Sequence, residues 1–334
     1  MVINGEVKRA LFIADSRRSG FSLRSLRLCG SARNTTFQIA ALLACAAIAN
    51  AFASFQEKSL LRIAVIGFTQ RATNYNEQSA RRLEDALGDS LKTDSRLSLI
   101  ERSRSRPALA GVGYDGSINM SREEARRIGA AVGCDFFITG KAEAVARSES
   151  KNDSHIEVIL GVIIVDGRSG DPAYFDFIEE KAATADAALN KATDSLKSKA
   201  TLYAEKMAEW RDTREALKAA SPSKDTITEI VEEIPQEGST QSEGFKPPEF
   251  LGRVKPEYTS QAERADISAT VEASVVFRAN GEVGQIEITR WAGFGLDESA
   301  MAAIRKLKFK PATRDGKAVS VRATVQYNFR RVDR

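Results

Sequence analysis

The residues that could do chemistry in this sequence are few and far apart. The only histidine is His155, and Cys134 is the only cysteine after residue 53. A zinc site needs several ligands, and a nucleophile needs a base and a third group that orients the base. The sequence offers His155 no second histidine for either purpose, so we expect it to be structural. We therefore predict a protein that is not an enzyme, with no catalytic residue, no metal site and no cofactor.

One glycine-rich stretch, GVGYDG at residues 111–116, has the spacing of the dinucleotide-binding fingerprint G-x-G-x-x-G. That fingerprint works where a strand precedes the glycines and a helix begins within them, because the helix N-terminus then meets the pyrophosphate. Here Pro107 and Ala108 precede the motif, and a capping box of Ser121 and Glu124 places the next helix start after it. We expect a flexible loop that binds no nucleotide.

A binding pattern lies near the end of the chain, where apolar and polar residues alternate over residues 319–329. This period is typical of a strand with one buried face. Proline and inward charge, which usually blunt exposed strand edges, do not occur within residues 319–328, so we predict an open edge that binds a partner peptide as an added strand. The predicted binding residues are Val319, Val321, Arg322, Ala323, Thr324, Val325, Gln326, Tyr327 and Asn328. A homodimer that pairs the same edges and a tail that folds over them are the alternatives.

The elements that would position this strand can be read upstream of it. Two alternating runs flank Asn280-Gly281, which is the strongest short signal for a hairpin with a type I′ turn. Apolar residues from Leu296 to Leu307 then recur at helical spacing. The order hairpin, helix, strand predicts a small sheet with its helix on one face.

Residues 258–329 resemble the C-terminal domain of the TonB family. The motifs that carry the resemblance are Asn280-Gly281, Gly295-Leu296-Asp297, Phe309-Lys310-Pro311-Ala312 and Asp315-Gly316-Lys317. One departure is that Thr259 follows Tyr258, where the family usually has proline. The resemblance implies a periplasmic β-β-α-β domain over residues 251–334 that grips a short peptide of an outer-membrane receptor by strand addition.

Residues 60–220 alternate between strand patterns and helix patterns. Strand-like runs such as LRIAVIGF and DFFITGKAEAVA flank an amphipathic helix at Glu77–Leu91 and a second helix after the Ser121 cap. This alternation predicts an α/β layer finished by an antiparallel part, and an α+β fold for the whole chain. The stretches RIAVIGF, LSLIERS and ARRIGAAVGCDFFITGKAEAV resemble the domain shared by the curli secretion protein CsgG and the TolB N-terminal domain. That resemblance implies an envelope protein that assembles or binds partners.

Residues 185–220 have the apolar spacing of one long helix with heptad character. We expect this helix to pack along its own domain, and dimerisation through a coiled coil is the alternative. Residues 221–250 are polar and contain four prolines, which predicts a coil linker that reaches roughly 30 Å. An energising TonB has a stiffer proline-rich spacer and a histidine in its membrane helix. The apolar run of this chain has no histidine, which argues against energy transduction.

Residues 1–53 have the pattern of a secretory signal peptide. A basic segment with net charge +5, residues 1–35, precedes an uncharged apolar run that ends in Ala51-Phe52-Ala53, so we predict cleavage before Ser54. Retention of the run as a membrane anchor and lipidation of Cys45 are the alternatives. The residues from 54 onward carry a net charge of −1, so we expect no nucleic-acid partner.

Two classes of function remain. The first is a TonB-family periplasmic binding protein that contacts an outer-membrane transporter or another envelope protein by strand addition, and so supports transport across the outer membrane. The second is an envelope assembly or scaffold protein that works through the CsgG-like domain without energy transduction. Both place the chain in the periplasm or cell envelope, with membrane contact through the N-terminal segment if it is uncleaved. A retained anchor favours the first class, and oligomer formation through residues 60–220 favours the second.

Overall fold

The computed structural model describes residues 60–70, 77–150, 153–220, 230–235, 238 and 242–331. The predicted cleavage site, Ala51, Ala53 and Ser54, lies outside the described residues. The helices are α1 (Glu77–Leu91), α2 (Arg102–Gly111), α3 (Arg122–Val132), α4 (Ala185–Ser198), α5 (Ala200–Ala220), α6 (Ser260–Arg264) and α7 (Leu296–Ile304). The strands are β1 (Leu61–Gln70), β2 (Leu97–Leu99), β3 (Met120–Ser121), β4 (Phe136–Ser150), β5 (Asp153–Asp166), β6 (Pro172–Ala182), β7 (Val231–Glu233), β8 (Phe245–Lys246), β9 (Glu249–Phe250), β10 (Ala269–Phe277), β11 (Val283–Trp291), β12 (Phe309–Lys310), β13 (Ala312–Arg314) and β14 (Lys317–Phe329). This mixture of helices and strands confirms the predicted α+β fold.

The first sheet has the strand order β2-β1-β4-β5-β6. β1 runs parallel to β2 and β4, whereas β4, β5 and β6 pair antiparallel. Leucines of α1 and α4 are buried in the cluster on one face, and apolar residues of α3 are buried in the cluster on the other. The predicted capping box begins α3, because the side chain of Ser121 accepts from the N–H of Glu124 and the Glu124 carboxylate accepts from the N–H of Ser121.

The predicted long helix over residues 185–220 is two helices, α4 and α5, which meet at Lys199. The seam residues Leu189, Leu196 and Tyr203 are buried in the core of the first sheet. The far end of α5 projects, with Leu217 64% exposed. The apolar seam therefore packs on its own sheet, and dimerisation stays an alternative only for the exposed end.

The second sheet has the strand order β3-β11-β10-β14-β13-β8, with β7 as a further partner of β14. β9 and β12 form a separate two-stranded ladder. α7 contributes Ile304 to the core of the second sheet, where Val275, Phe277 and Val321 are also buried. The predicted order of hairpin, helix and strand is therefore present, and the preceding segment adds short strands to it.

The two hairpins of the second sheet use different turns. Between β10 and β11 only Gly281 has positive φ, at 84°, and its N–H donates to Arg278. This is a three-residue loop with a left-handed glycine, so the predicted type I′ turn at Asn280-Gly281 was wrong, although the hairpin is present. Between β13 and β14 both Asp315 and Gly316 have positive φ, which is the type I′ geometry.

The described residues of both sheets belong to one unit, Ser59–Arg334. β3 comes from the segment between α2 and α3 and pairs with β11, so the part of the chain that forms the first sheet also contributes a strand to the second. None of the helices in the described ranges combines the length and apolar character that a bilayer-crossing segment needs.

Candidate peptide-binding edge

β14 has a strand on both sides along only part of its length. β10 pairs with it from Val321 to Phe329. On the opposite side β13 pairs with residues 317–319 and β7 pairs with residues 320–322. Within the described part of the chain, residues 323–328 have no strand on that second side. We call residues 323–328 the open run.

The open run offers both main-chain and side-chain contacts. Because the N–H and C=O groups of an antiparallel strand alternate in direction, half of these residues turn them toward the open side. Ala323, Val325 and Tyr327 pack against the core of the second sheet, and the three polar residues among them are exposed. This arrangement confirms the alternation predicted from the sequence. An added strand would therefore gain a ladder of main-chain bonds.

The open edge in the structure is shorter than the sequence predicted. Val319 pairs with Ala312 of β13, and Val321 and Arg322 lie opposite β7, so these three predicted binding residues are not on an open edge. The predicted binding residues that remain on the open edge are Ala323, Thr324, Val325, Gln326, Tyr327 and Asn328. The physical reason is that the Asp315-Gly316 turn folds β13 back on β14 and that the supposed linker contributes β7. Residues 231–233, 245–246 and 249–250 are strands rather than the predicted coil.

The sequence around β7 contains residues that favour a strand. The stretch TITEIVEEI, residues 226–234, is rich in β-branched threonine, isoleucine and valine. Such residues favour strands. The prolines and acidic residues around them favoured a coil, and Pro235 does end the strand soon after Glu233.

An ion pair joins β7 to the sheet through Arg314 of β13. Nε and Nη2 of Arg314 are each 2.8 Å from Oε2 of Glu232. The guanidinium lies 5.2 Å from the centre of the Phe245 ring, a cation–π distance. Both side chains of the pair are about two-thirds buried or more, with 32% of Arg314 and 27% of Glu232 exposed. Arg314 is therefore held in place to receive a carboxylate at this point of the edge.

A second, weaker pair lies one residue further along β7. Nε of Arg322 is 3.6 Å from Oε1 of Glu233, whose side chain is mostly exposed. Nη1 of Arg322 is 3.4 Å from Oγ of Ser274 on β10. An exposed pair at this distance contributes little to stability. Two arginines therefore mark the part of the edge that β7 covers.

On the opposite side of the sheet, the end of β11 at Arg290 and Trp291 is covered by β3 and by the side chain of Asn119. Nδ2 of Asn119 donates to the C=O of Thr270 and of Trp291, at 2.8 Å each, and its Oδ1 accepts from the N–H of Thr270 at 3.0 Å. Trp291 is fully buried among residues of the first sheet, and its Nε1 donates to the C=O of Gly170 at 3.1 Å. This end of β11 is therefore held by a buried anchor, whereas residues 283–289 of β11 have no outer strand among the described strands.

The loop after β11 forms a second anchor. The ring of Phe294 lies 4.9 Å from the ring of Phe175 on β6, and its backbone has positive φ. The carboxylate of Asp297 accepts from the N–H of Ala292 at 2.9 Å and of Gly293 at 2.8 Å, which fixes the loop. Burial raises the pKa of Asp297 to about 6, although these two hydrogen bonds lower it.

The other residues singled out from the sequence lie in the first sheet. Cys134 is buried, and burial raises the pKa of its thiol to about 12, so it has no thiolate character at neutral pH. His155 lies on β5 opposite Arg147 of β4, at the other end of that ladder from Cys134. In the described ranges no three histidine, cysteine, aspartate or glutamate side chains converge as a metal site requires. The absence of an enzyme site remains a prediction.

The glycine-rich stretch 111–116 follows a helix instead of a strand. The predicted strand RLSLIERS ends at Leu99, and α2 begins at Arg102 and contains Pro107. The stretch lines a cavity of about 240 Å³, and the hydroxyl of Tyr114 lies 3.1 Å from that of Thr139. The context that a dinucleotide fingerprint needs, a strand running into a helix, is therefore not met here.

Residues 254–330 match the family model described as the Gram-negative bacterial TonB protein C-terminal. Comparison with curated proteins gave no match. The resemblance of residues 60–220 to the CsgG and TolB domains stays a prediction.

Solved structures with some similarity include a hypothetical protein from Chlamydia trachomatis, 15% identical over 44% of this chain and 96% of that chain, with a TM-score of 0.31. The LpoB C-terminal domain from Salmonella enterica is 14% identical over 36% of this chain and 81% of that chain, with a TM-score of 0.26. The TonB C-terminal domain from Pseudomonas aeruginosa is 23% identical over 29% of this chain and 96% of that chain, with a TM-score of 0.23. These low TM-scores support no conclusion about function.

The part of the chain that contains the open run, residues 254–330, is similar to the C-terminal domain of TonB proteins from Gram-negative bacteria, which confirms the resemblance given by its motifs.

Proposed function

We propose that this chain is a TonB-family binding protein of the Gram-negative cell envelope. It binds an extended peptide of an outer-membrane transporter, or of another envelope protein, as an added strand on β14, and in this way supports transport across the outer membrane. The family match of residues 254–330 supports the class of protein. The single observation that carries the mode of binding is the open run, residues 323–328.

Strand addition would supply affinity and selectivity from different groups. Main-chain hydrogen bonds to the open run supply affinity, at about 0.5–1.5 kcal/mol each after exchange with water. Ordering an extended peptide offsets part of that gain, since each residue loses conformational freedom. Selectivity comes from the side chains beside the ladder, which are apolar on the core side and polar at Thr324 and Gln326.

Site-specific photocrosslinking in intact cells tests this proposal. A photoreactive amino acid replaces the exposed Gln326 on the open run. A matched control carries it at the exposed Gln285 on β11, where the opposite edge of the same sheet also has no outer strand among the described strands. We expect an envelope protein to be captured from position 326 and not from position 285. Capture of the same proteins from both positions, or from neither, would contradict binding at the open run.

A second function, an envelope scaffold that acts through residues 60–220, is favoured by one observation. β3 and the buried residues around Trp291 hold residues 254–330 against the first sheet. Residues 254–330 could therefore serve to attach the chain to a partner while residues 60–220 carry the main function. We then expect the chain to form defined oligomers through residues 60–220, which sedimentation equilibrium of the chain with and without residues 251–334 measures. In both functions we propose that the chain acts by binding and not by catalysis.

A further inference from the structure

The chain's own β7 occupies part of the edge that we assign to a partner peptide. β7 runs parallel to β14, with Val231 opposite Ser320, Glu232 opposite Val321 and Glu233 opposite Arg322. It covers the three residues that directly precede the open run. A partner strand longer than the open run would therefore meet β7 first.

β7 shows which chemistry this part of the edge accepts. Arg314 binds Glu232 through two nitrogens and is supported by the Phe245 ring, and Arg322 faces Glu233. An arginine held in this way is suited to a carboxylate, because its guanidinium offers several donors in a fixed plane. The edge is therefore built for an extended segment with two consecutive acidic residues.

β7 is also held only weakly at the edge of β14. It is three residues long, and the side chains that flank it are exposed, 84% for Ile230 and 39% for Ile234. Pro235 cannot donate a ladder hydrogen bond, so β7 has no easy extension along the open run. In the described part of the chain, β7 has no buried anchor like the one that Trp291 provides beside β3.

We propose that β7 is an internal competitor, an acidic strand that covers residues 320–322 until an acidic extended peptide replaces it in the same parallel direction and continues along the open run. This inference rests on the proposed function, and it adds the class of peptide and a means of control. Because β7 is part of the same chain, its effective concentration at the edge is on the order of millimolar. The apparent association constant of a free peptide is therefore the association constant for the uncovered edge multiplied by the fraction of chains in which β7 has left.

Fluorescence anisotropy with a labelled synthetic peptide, EIVEEITITEI, tests this. The peptide copies residues 229–234 and then continues with the sequence of residues 226–230 in place of Pro235, so in the register of β7 its last six residues lie along the open run. The full chain is compared with a variant in which β7 is released, Glu232→Lys with Glu233→Lys. A control variant, Glu205→Lys with Glu215→Lys, makes the same change in charge at exposed positions of α5.

We expect the released variant to bind the peptide about tenfold or more tightly than the full chain and the control. A peptide with lysine at both glutamates that copy Glu232 and Glu233 should lose that binding. Adding Arg314→Gln to the released variant should also abolish binding of the peptide, because the peptide carboxylate then has no guanidinium to pair with.

A disulfide provides a second variant that keeps β7 in place. Arg322→Cys with Glu233→Cys joins two positions that lie opposite each other in the ladder. Oxidation should abolish peptide binding, and reduction should restore it. Equal binding to the full chain, the released variant and the oxidised variant would overturn the inference, as would binding to none of them. Neither result would affect capture at Gln326, so failure of this inference is distinguishable from failure of the proposed function.

Discussion

In the second sheet β11 and β14 are each partly covered by a short strand, but the two short strands are held in different ways. β3 pairs with β11 through two residues, and β7 pairs with β14 through three. The shorter ladder is the more firmly built, since fully buried Trp291 and the three hydrogen bonds of Asn119 accompany it. The longer ladder has partly exposed ion pairs and exposed isoleucines. We therefore expect burial beside a ladder, more than the number of paired residues, to decide whether a short covering strand stays in place.

The largest effect is expected from Trp291→Ala, at the end of β11 that pairs with β3. Removing this fully buried ring leaves a cavity between the two sheets and should lower the free energy of unfolding by about 3–5 kcal/mol. Ile230→Ala beside β7 is the matched control and should change it by less than about 0.5 kcal/mol. Urea denaturation followed by circular dichroism measures both. Similar values for the two variants would remove the distinction between the sides.

A pH effect is expected from Asp297, which fixes the loop next to Trp291. Its pKa is raised from 3.8 to about 6 in the folded chain, so the folded state holds this proton more tightly than the unfolded state. The resulting contribution to stability is complete below about pH 4 and is lost as the pH rises through about 6, about 3 kcal/mol in all. Denaturation at several pH values should show this loss in the wild type and not in Asp297→Asn. The same pH dependence in both would assign it to another group.

Asn119→Ala should have a smaller effect on the same side. It removes three hydrogen bonds to backbone groups of Thr270 and Trp291 that are partly buried, which should cost about 1–2 kcal/mol. Amide hydrogen exchange should rise at Thr270, whose N–H donates to Asn119. Unchanged exchange there would show that the Asn119 side chain does not hold the backbone of Thr270 in place.

The smallest effect on stability is expected from Arg322→Ala on the side of β7. Its pair with Glu233 is long and mostly exposed, so the free energy of unfolding should fall by less than about 1 kcal/mol. Amide exchange of β7 should nevertheless increase, because one of its two ion pairs is lost. A large loss of global stability would mean that β7 is as firmly held as β3.

Periodicity was sufficient to predict most of the second sheet. The alternation of residues 319–329 gave β14 and its buried face, and the apolar spacing after Gly295 gave α7, because these patterns follow directly from strand and helix geometry. The capping box at Ser121 gave the start of α3 for the same reason. Local patterns of this kind depend on the residue itself and its near neighbours.

Pairings between distant segments could not be predicted from local patterns. Nothing near Met120 indicates that β3 pairs with β11, some 170 residues away, and Trp291 reads as an ordinary apolar residue at a strand end. The length of the open edge was overestimated because β7 lies within a polar stretch. The predicted domain boundary at residue 251 also stays a prediction. A fragment of residues 250–334 would expose Trp291 and Phe294, so we expect it to be less stable than the same residues within the chain.

The central claim, that the open run of β14 binds the partner, is tested most directly by proline substitution. Val325→Pro and Gln326→Pro each remove one N–H, and because neighbouring N–H groups alternate in direction, only one of the two lies on the open side. The measured quantity is the affinity of each folded variant for the protein captured at position 326. We predict that the substitution on the open side leaves the chain folded and weakens binding about tenfold or more, whereas unchanged affinity would contradict the claim.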